Sequence, residues 1–373
     1  MREVSMLEQI IQPLLKWYDA NHRELPWRES RDPYHIWISE IMLQQTRVEA
    51  VRPYFDRFIE ALPTIHDLAG CPEDRLLKLW EGLGYYNRVR NMQQAAIQIE
   101  EQYGGKLPAD FDSLRSLKGI GDYTAGAIAS IAFDLPVPAV DGNVLRIWSR
   151  LIGCDEDILK DKVKKEAFRQ LKEVMPEQRC GDLNQAFMDM GSLICLPKGA
   201  SHCQACPLQF ICQASKQGLT EVLPVRKKAK ERRLEERTIL VVRDGDKVAL
   251  RKRKEQGLLA GMYELPGLEA FYGEEEVLTY LKQRQLIPLY IEKLKDAKHV
   301  FSHVEWQMRG FLIRVASLED TSENDWLFVD AKTAMQEYPR PSAFRAYASY
   351  VNIQPGTFQG KETRHPAANR RKI

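Results

Sequence analysis

Leu117-Lys118-Gly119-Ile120-Gly121-Asp122-Tyr123-Thr124-Ala125 joins two predicted helical stretches through a Gly-x-Gly turn. Glycine lacks a Cβ, so the backbone there can approach a ligand closely, and the next helix opens on N–H groups with no partner inside it. An anion such as a DNA phosphate fits against the amides of Gly119 and Gly121. By itself the turn reads equally well as a plain interhelix connection. Its company sharpens it: a helix of small residues over 124–133, then Ala139-Val140-Asp141-Gly142-Asn143, then four clustered cysteines.

Those cysteines, Cys195, Cys203, Cys206 and Cys212, leave gaps of seven, two and five residues within an 18-residue stretch. Four thiolates this crowded can wrap one metal centre, and as soft ligands they favour zinc or an iron–sulfur cluster. A pair of disulfides is the alternative. Residues 1–11 lack a long apolar stretch of the secretory kind, so a reducing, cytoplasmic compartment is expected. Cys71, Cys154 and Cys180 are scattered and read as ordinary buried or half-buried thiols.

Outward from this region the chain divides. At 373 residues it suits two domains rather than one core, and no apolar run approaches a membrane span. A formal charge of +2 does not by itself imply nucleic acid. Up to residue 225 apolar residues recur at three- and four-residue spacing, as in Ile38, Ile41 and Met42, or Leu76, Leu77 and Trp80, which predicts helices. Residues 226–237 are densely charged and read as a linker. The period then shortens to two. Residues 238–242 and 247–251 flank Asp244-Gly245 as a predicted β-hairpin, 289–291, 299–301 and 306–315 favour strand, and 274–285 and 331–337 favour helix. An α+β domain over 238–353 results, followed at 354–373 by a basic, disordered tail.

Leu25-Pro26-Trp27-Arg28, Ser39-Glu40-Ile41-Met42-Leu43-Gln44-Gln45-Thr46, Trp80-Glu81-Gly82-Leu83-Gly84-Tyr85-Tyr86, the hairpin, Val140–Asn143 and Phe301-Ser302-His303 occur together in this order. In that conjunction the chain resembles the helix–hairpin–helix DNA glycosylases that carry a [4Fe-4S] cluster, and within them the MutY-type adenine DNA glycosylases, from about residue 7 to about residue 353. The resemblance implies an all-α glycosylase domain over 1–225, with the cluster loop at 195–212, and a Nudix-like α+β domain over 238–353. It implies duplex DNA with 8-oxoguanine:adenine or guanine:adenine mispairs as substrate, a monomeric protein, no membrane, and a bacterial cytoplasm near the nucleoid. Two departures stand out. The family pattern has six residues in the first cysteine gap, and Pro or a basic residue at Asp122, whose carboxylate could cap the next helix but would repel a phosphate.

N-glycosidic cleavage requires a protonated leaving group and help for an oxocarbenium-like sugar, which two carboxyls in unlike environments supply. Glu40 lies on an amphipathic helix beside Ile41 and Met42, and a carboxyl held against apolar groups stays protonated. By resemblance Glu40 protonates N7 of adenine, Asp141 stabilises the sugar cation, and Tyr123 and Asn143 hydrogen-bond these groups. Relatives that also cut the strand carry a lysine nucleophile where this chain has Tyr123, so a monofunctional enzyme leaving an abasic site is expected. Adenine must be flipped out of the duplex. Gln44 and Gln45, four and five positions beyond Glu40, are predicted by helical spacing to lie near the same face, with Thr46 beside them. Tyr85 resembles the family's wedging aromatic, Leu83 a neighbouring contact, and Trp27 and Arg28 pocket and base contacts, while Trp80 and Tyr86 read as core.

In the second half, residues 257–267 resemble the lead-in of a Nudix domain, but the Arg-Glu-x-x-Glu-Glu helix that holds divalent metal is missing from 273–277. By resemblance, Phe301-Ser302-His303 matches the family segment that reads 8-oxoguanine opposite the adenine, which implies recognition of an oxidised base by a fold that has lost the hydrolase chemistry. Oxidation turns the N7 acceptor of guanine into a donor, which Ser302 in the Phe301-Ser302-His303 loop could read. Two other readings compete: a bifunctional pyrimidine-lesion glycosylase like endonuclease III, disfavoured by Tyr123 and the added domain, and a non-catalytic iron–sulfur DNA-binding module, disfavoured by the pairing of Glu40 with Asp141. Zinc is the competing metal.

Overall fold

Helices α1 (Ile11–Asn21), α2 (Pro33–Leu43), α3 (Val48–Ala61), α4 (Ile65–Gly70), α5 (Glu73–Leu79), α6 (Asn87–Tyr103), α7 (Phe111–Ser116), α8 (Asp122–Phe133), α9 (Gly142–Ile152), α10 (Asp161–Glu173), α11 (Cys180–Leu193) and α12 (Gln213–Lys216) run in sequence to the end of the cysteine-rich segment. They come from a computed structural model that describes residues 6–227, 231–318, 325–351 and 371–372. Local chemistry sets several of the boundaries. Asp32 accepts from the amides of Tyr34 and His35 and, with Pro33 in the first turn, starts α2. Asp110 starts α7 by accepting from the Ser113 amide, and Gly153 ends α9 in the left-handed conformation.

The described residues form two compact units: up to Cys71 together with Asn87 onward to 227, and Pro72–Tyr86 together with the chain from 231. The stretch Pro72–Tyr86 therefore departs from a division at 225, because its contacts lie with the second unit. In the first unit, Leu14 of α1, Ile147, Trp148 and Leu151 of α9, Val163 and Leu171 of α10, and Leu183 and Phe187 of α11 share a core with Leu208 and Ile211 of the cysteine segment. The amphipathic faces expected from the three- and four-residue spacing meet there.

Strands β1 (Arg233–Asp244), β2 (Lys247–Lys252), β3 (Tyr263–Glu264), β4 (Gly267–Leu268), β5 (Pro288–Lys293), β6 (Ala297–Val300), β7 (Val304–Val315), β8 (Trp326–Asp330) and β9 (Arg371–Lys372) build one mixed sheet in the second unit. β1 and β7 run parallel from Arg233↔Val304 to Arg243↔Arg314. Side chains alternate across them as a period of two requires. Ile239, Val241, Trp306, Met308 and Leu312 face one core, and Leu240, Val242, Phe311, Ile313 and Val315 face the other, which α13 (Glu274–Gln283) covers with Val277 and Leu281. The hairpin expected at Asp244-Gly245 is present between β1 and β2, with Gly245 at φ 53°. β1 begins at Arg233, so the second half of the expected linker is strand: the parallel partner β7 satisfies its backbone even though its side chains are charged. β3, β4 and β8 are too short or too mixed to show a period. The expected tail lies outside the described residues except for Arg371–Lys372, which pair with Tyr290 and Ile291 of β5 rather than standing apart.

Candidate active site

α2 carries Glu40 into the first unit, where only 4% of the residue is exposed. α8 begins directly after the hairpin, and its first turn directs Tyr123 towards Glu40: the phenol Oη donates to Glu40 Oε2 at 2.6 Å. Asp141 is the N-cap of α9. Its Oδ1 accepts from the amides of Asn143 and Val144, each at 2.8 Å, and its Oδ2 from Asn143 Nδ2 at 2.9 Å. Gly191 of α11 lets that turn pack closely, since a Cβ there would lie 2.8 Å from Asn143 Cβ. Glu40, Tyr123, Asp141 and Asn143 line one cleft of about 440 Å³, together with Trp27, Arg28, Thr46, Arg23, Gln185 and Met188.

The two carboxyls are held differently. Burial pushes Glu40 up to about 7; Asp141 adds to that, while the Tyr123 hydrogen bond and the Arg28 cation oppose it. At neutral pH about half of such a group is protonated. Burial also raises Asp141, but the Val144 and Asn143 amides, Arg146 and the Asn143 side chain all work against it. The Asn143 and Val144 amides and Asn143 Nδ2 all donate to the Asp141 carboxylate, and contacts in which it only accepts suit the ionised form. Tyr123 is pushed well above the ordinary phenol range, chiefly by burial and then by the two carboxyls, so it stays a neutral donor.

Other residues singled out in the sequence lie in varied settings. Trp27 is buried edge-on against Phe55 at 5.4 Å. Arg28 lines the cleft, but its guanidinium is engaged by Asp189 at 2.7 and 3.0 Å. α2 stops at Leu43, and Gln45 has φ 58°, so the helical-face argument for Gln44 and Gln45 fails: the chain has already turned. Gln44 reaches Thr124 Oγ1 at 3.3 Å and Gln45 is exposed. Arg88 on α6 fixes this turn by donating to the carbonyls of Ile41, Met42 and Gln44. In the hairpin Gly119 sits at φ 78° with Asn91 packed against it, and a Cβ there would lie 2.7 Å from Asn91 Cβ. Asp122 does not cap α8. Gly121 is the N-cap, and the Asp122 carboxylate instead pairs with Arg115 at 3.4 Å on the surface, which partly offsets its charge beside the turn.

Within the second unit, Tyr85 stands out at 48% exposure with φ 49°, while Leu83 is buried at 7% and presents almost no surface for a ligand, contrary to the expected contact. Trp80 and Tyr86 are buried. Phe301-Ser302-His303 forms the turn between β6 and β7, closed by the Phe301 amide on the Val304 carbonyl at 2.8 Å. Ser302 and His303 are exposed and 3.2 Å apart at Oγ and Nδ1, and the Phe301 ring is anchored edge-on against Trp306 at 4.9 Å. Glu276 of α13 accepts from the Gly273 amide, so this glutamate is spent on starting its helix.

All four clustered cysteines are free thiols around one cavity of about 30 Å³, which Arg150 also lines. Arg150 Nη1 donates to Cys195 Sγ at 3.1 Å. Among the described residues no group of three or more His, Cys, Asp and Glu side chains is gathered to hold a single ion. The four thiols line that one cavity, a set of soft sulfur donors of the kind that holds zinc or an iron–sulfur cluster.

Sequence reasoning passed over Gln185, Asp189, Arg23 and Arg88. Gln185 and Asp189 lie four apart on a helix otherwise rich in apolar residues, and that polar pair on one buried face was the available signal.

Residues 38–176 match the family described as HhH-GPD superfamily base excision DNA repair protein, and residues 238–350 match the NUDIX domain. An adenine DNA glycosylase from Buchnera aphidicola (Acyrthosiphon pisum) is 35% identical over 83% of this chain and 87% of its own length. The human adenine DNA glycosylase is 30% identical over 97% of this chain and 77% of its own length. Among solved structures, a thermostable thymine-DNA glycosylase superposes with a TM-score of 0.53 at 26% identity, covering 57% of this chain and 97% of that one. A trapped endonuclease III–DNA covalent intermediate gives 0.50 at 26% identity over 59% and 100%. No helix among the described residues is long and apolar enough to cross a membrane.

Proposed function

The chain belongs to the adenine DNA glycosylases of the HhH-GPD superfamily, which hydrolyse N-glycosyl bonds of DNA, and from that premise we propose that its substrate is adenine mispaired with 8-oxoguanine or guanine, excised by Glu40 and Asp141 acting across one cleft. The observation that carries this reading is the cleft itself: a buried carboxyl that titrates near neutrality and a carboxyl ringed by donors line the same cavity. With Tyr123 donating to Oε2, the other oxygen of protonated Glu40 is left to give its proton to N7 of a flipped adenine. The purine leaves neutral, Asp141 stabilises the cationic sugar, and water adds to leave an abasic site. A phenol at Tyr123 cannot form a Schiff base, so no strand cleavage accompanies excision.

Gly119 and Gly121 cradle a phosphate, and the Gln44–Thr46 turn fills the space behind the extruded base; Tyr85, exposed on its own unit, is a separate DNA contact. Cys195, Cys203, Cys206 and Cys212 hold a [4Fe-4S] cluster, which supplies rigidity and DNA positioning, since hydrolysis requires no electron transfer. The protein acts as a monomer in the bacterial cytoplasm, at the nucleoid. The test is a glycosylase assay on duplexes carrying adenine opposite 8-oxoguanine, guanine or cytosine. Free adenine is released from the first two, and the strand stays intact until alkali is added; excision opposite cytosine at equal rate, or a nick without alkali, refutes the reading.

Reading of the oxidised base is assigned to Ser302 and His303, the exposed pair on the β6–β7 turn. Replacing both by Ala lowers the preference for 8-oxoguanine:adenine over guanine:adenine about tenfold, the worth of one or two hydrogen bonds in discrimination. Single-turnover rates on the two duplexes measure it, and an unchanged ratio removes the role.

A further inference from the structure

Asp189 of α11 is completely buried and takes no part in the chemistry above. Its carboxylate receives Arg28 Nη1 at 2.7 Å and Nη2 at 3.0 Å, Arg23 Nε at 2.7 Å, and the Arg23 amide at 3.0 Å. Both arginines line the cleft that holds Glu40. Two cations thus share one anion, leaving a single net positive charge on this wall. We propose that Asp189 is a positioning residue that clamps Arg23 and Arg28 as a partly neutralised wall of the cleft, so that their charge does not ionise Glu40.

The groups facing Glu40 are few and can be named by element. Tyr123 comes from α8, and Arg28 and Arg23 from the segment before α2. Asp141 comes from the start of α9, backed through Asn143 by Arg146, while Gln185 and Met188 come from α11 and Arg47 and Glu49 from around the start of α3. Of these, Arg28 is the cation that opposes protonation of Glu40. Bidentate pairing fixes the plane of the Arg28 guanidinium, and the buried anion cancels part of its field in a site where water screens little. Burial alone would raise the Asp189 carboxyl, but the two arginines outweigh it and hold it below the ordinary range, so it remains an anion wherever the enzyme works.

The inference rests on Glu40 being the acid, and its test keeps the two apart. Excision that depends on protonated Glu40 declines as pH rises through the Glu40 pKa. D189N leaves two uncompensated cations, favours the Glu40 carboxylate, and moves that alkaline limb down by about one pH unit. R23Q removes one cation and moves the limb up. Single-turnover excision of adenine across the pH range, with saturating enzyme, reads both shifts. D189N loses about tenfold more rate above the limb than below it. A limb unmoved in either folded variant, or a uniform loss of rate at every pH, overturns the proposal and leaves Asp189 a packing residue. Should D189N not fold, R23Q decides alone: an upward shift supports the clamp, and no shift or a downward one removes it. If E40Q retains excision, the reading of the acid has failed; if E40Q is inactive while the limbs stay put, only the clamp has.

Discussion

Glu40→Gln binds mispaired duplex with undiminished affinity and excises adenine about 10³-fold more slowly, the middle of the range for a lost general acid. The amide matches the carboxyl in size and can still accept the Tyr123 hydrogen bond, so the packing of α2 and the contact at 2.6 Å survive. What disappears is the transferable proton. Binding measured by mobility shift and excision measured by single-turnover quench separate the two effects. A rate within tenfold of the parent would remove Glu40 from the chemistry. The parent's own pH profile provides a second reading of the same group. Burial raises Glu40 to about 7, so its protonated fraction, and with it excision, falls as pH rises through neutrality.

Asp141→Asn is the second large effect, a loss of about 10² to 10³ in excision, which is the usual cost of removing one preorganised electrostatic partner of a transition state. Asn is as good an N-cap as Asp, so α9 keeps its first turn and stability changes by only a few tenths of a kcal/mol. Asp141→Ala, in contrast, abandons the amides of Asn143 and Val144 and costs about 1 kcal/mol of stability in addition to activity. The Asn variant therefore isolates charge from fold. A D141N protein with parental melting temperature and near-parental excision would assign the residue to helix capping alone.

These tests also mark where the sequence was readable. The helical half, the two-residue period of the second half and the β1–β2 hairpin follow from spacing, because burial of one face imposes periodicity on any chain that folds this way. Glu40 and Asp141 stand out only through the resemblance to the glycosylases, since a lone carboxyl on an amphipathic helix or in a turn reads equally well as a solvated charge. Gln44 and Gln45 were misplaced by reasoning from spacing. Periodicity extends a helix until a stop signal appears, and the stop here is Arg88, 44 residues from Gln44, donating to three carbonyls at the end of α2. Leu83 was misread because its exposure depends on how one loop folds around Trp80 and Tyr86, which no local pattern records.

Composition and spacing were sufficient for the helical and mixed halves, since these reflect forces acting within a few residues, while the phosphate turn and the candidate acid and anion were legible only through the order of motifs that carries the family resemblance. Only the tertiary structure decided that Tyr123 donates to Glu40, that both carboxyls line one cleft, and that Asp189 grips Arg23 and Arg28 from 166 and 161 residues away. The physical reason is burial. The proton affinity of a carboxyl depends on which charges and donors surround it once water has gone, and that company is assembled by packing between helices distant in the chain.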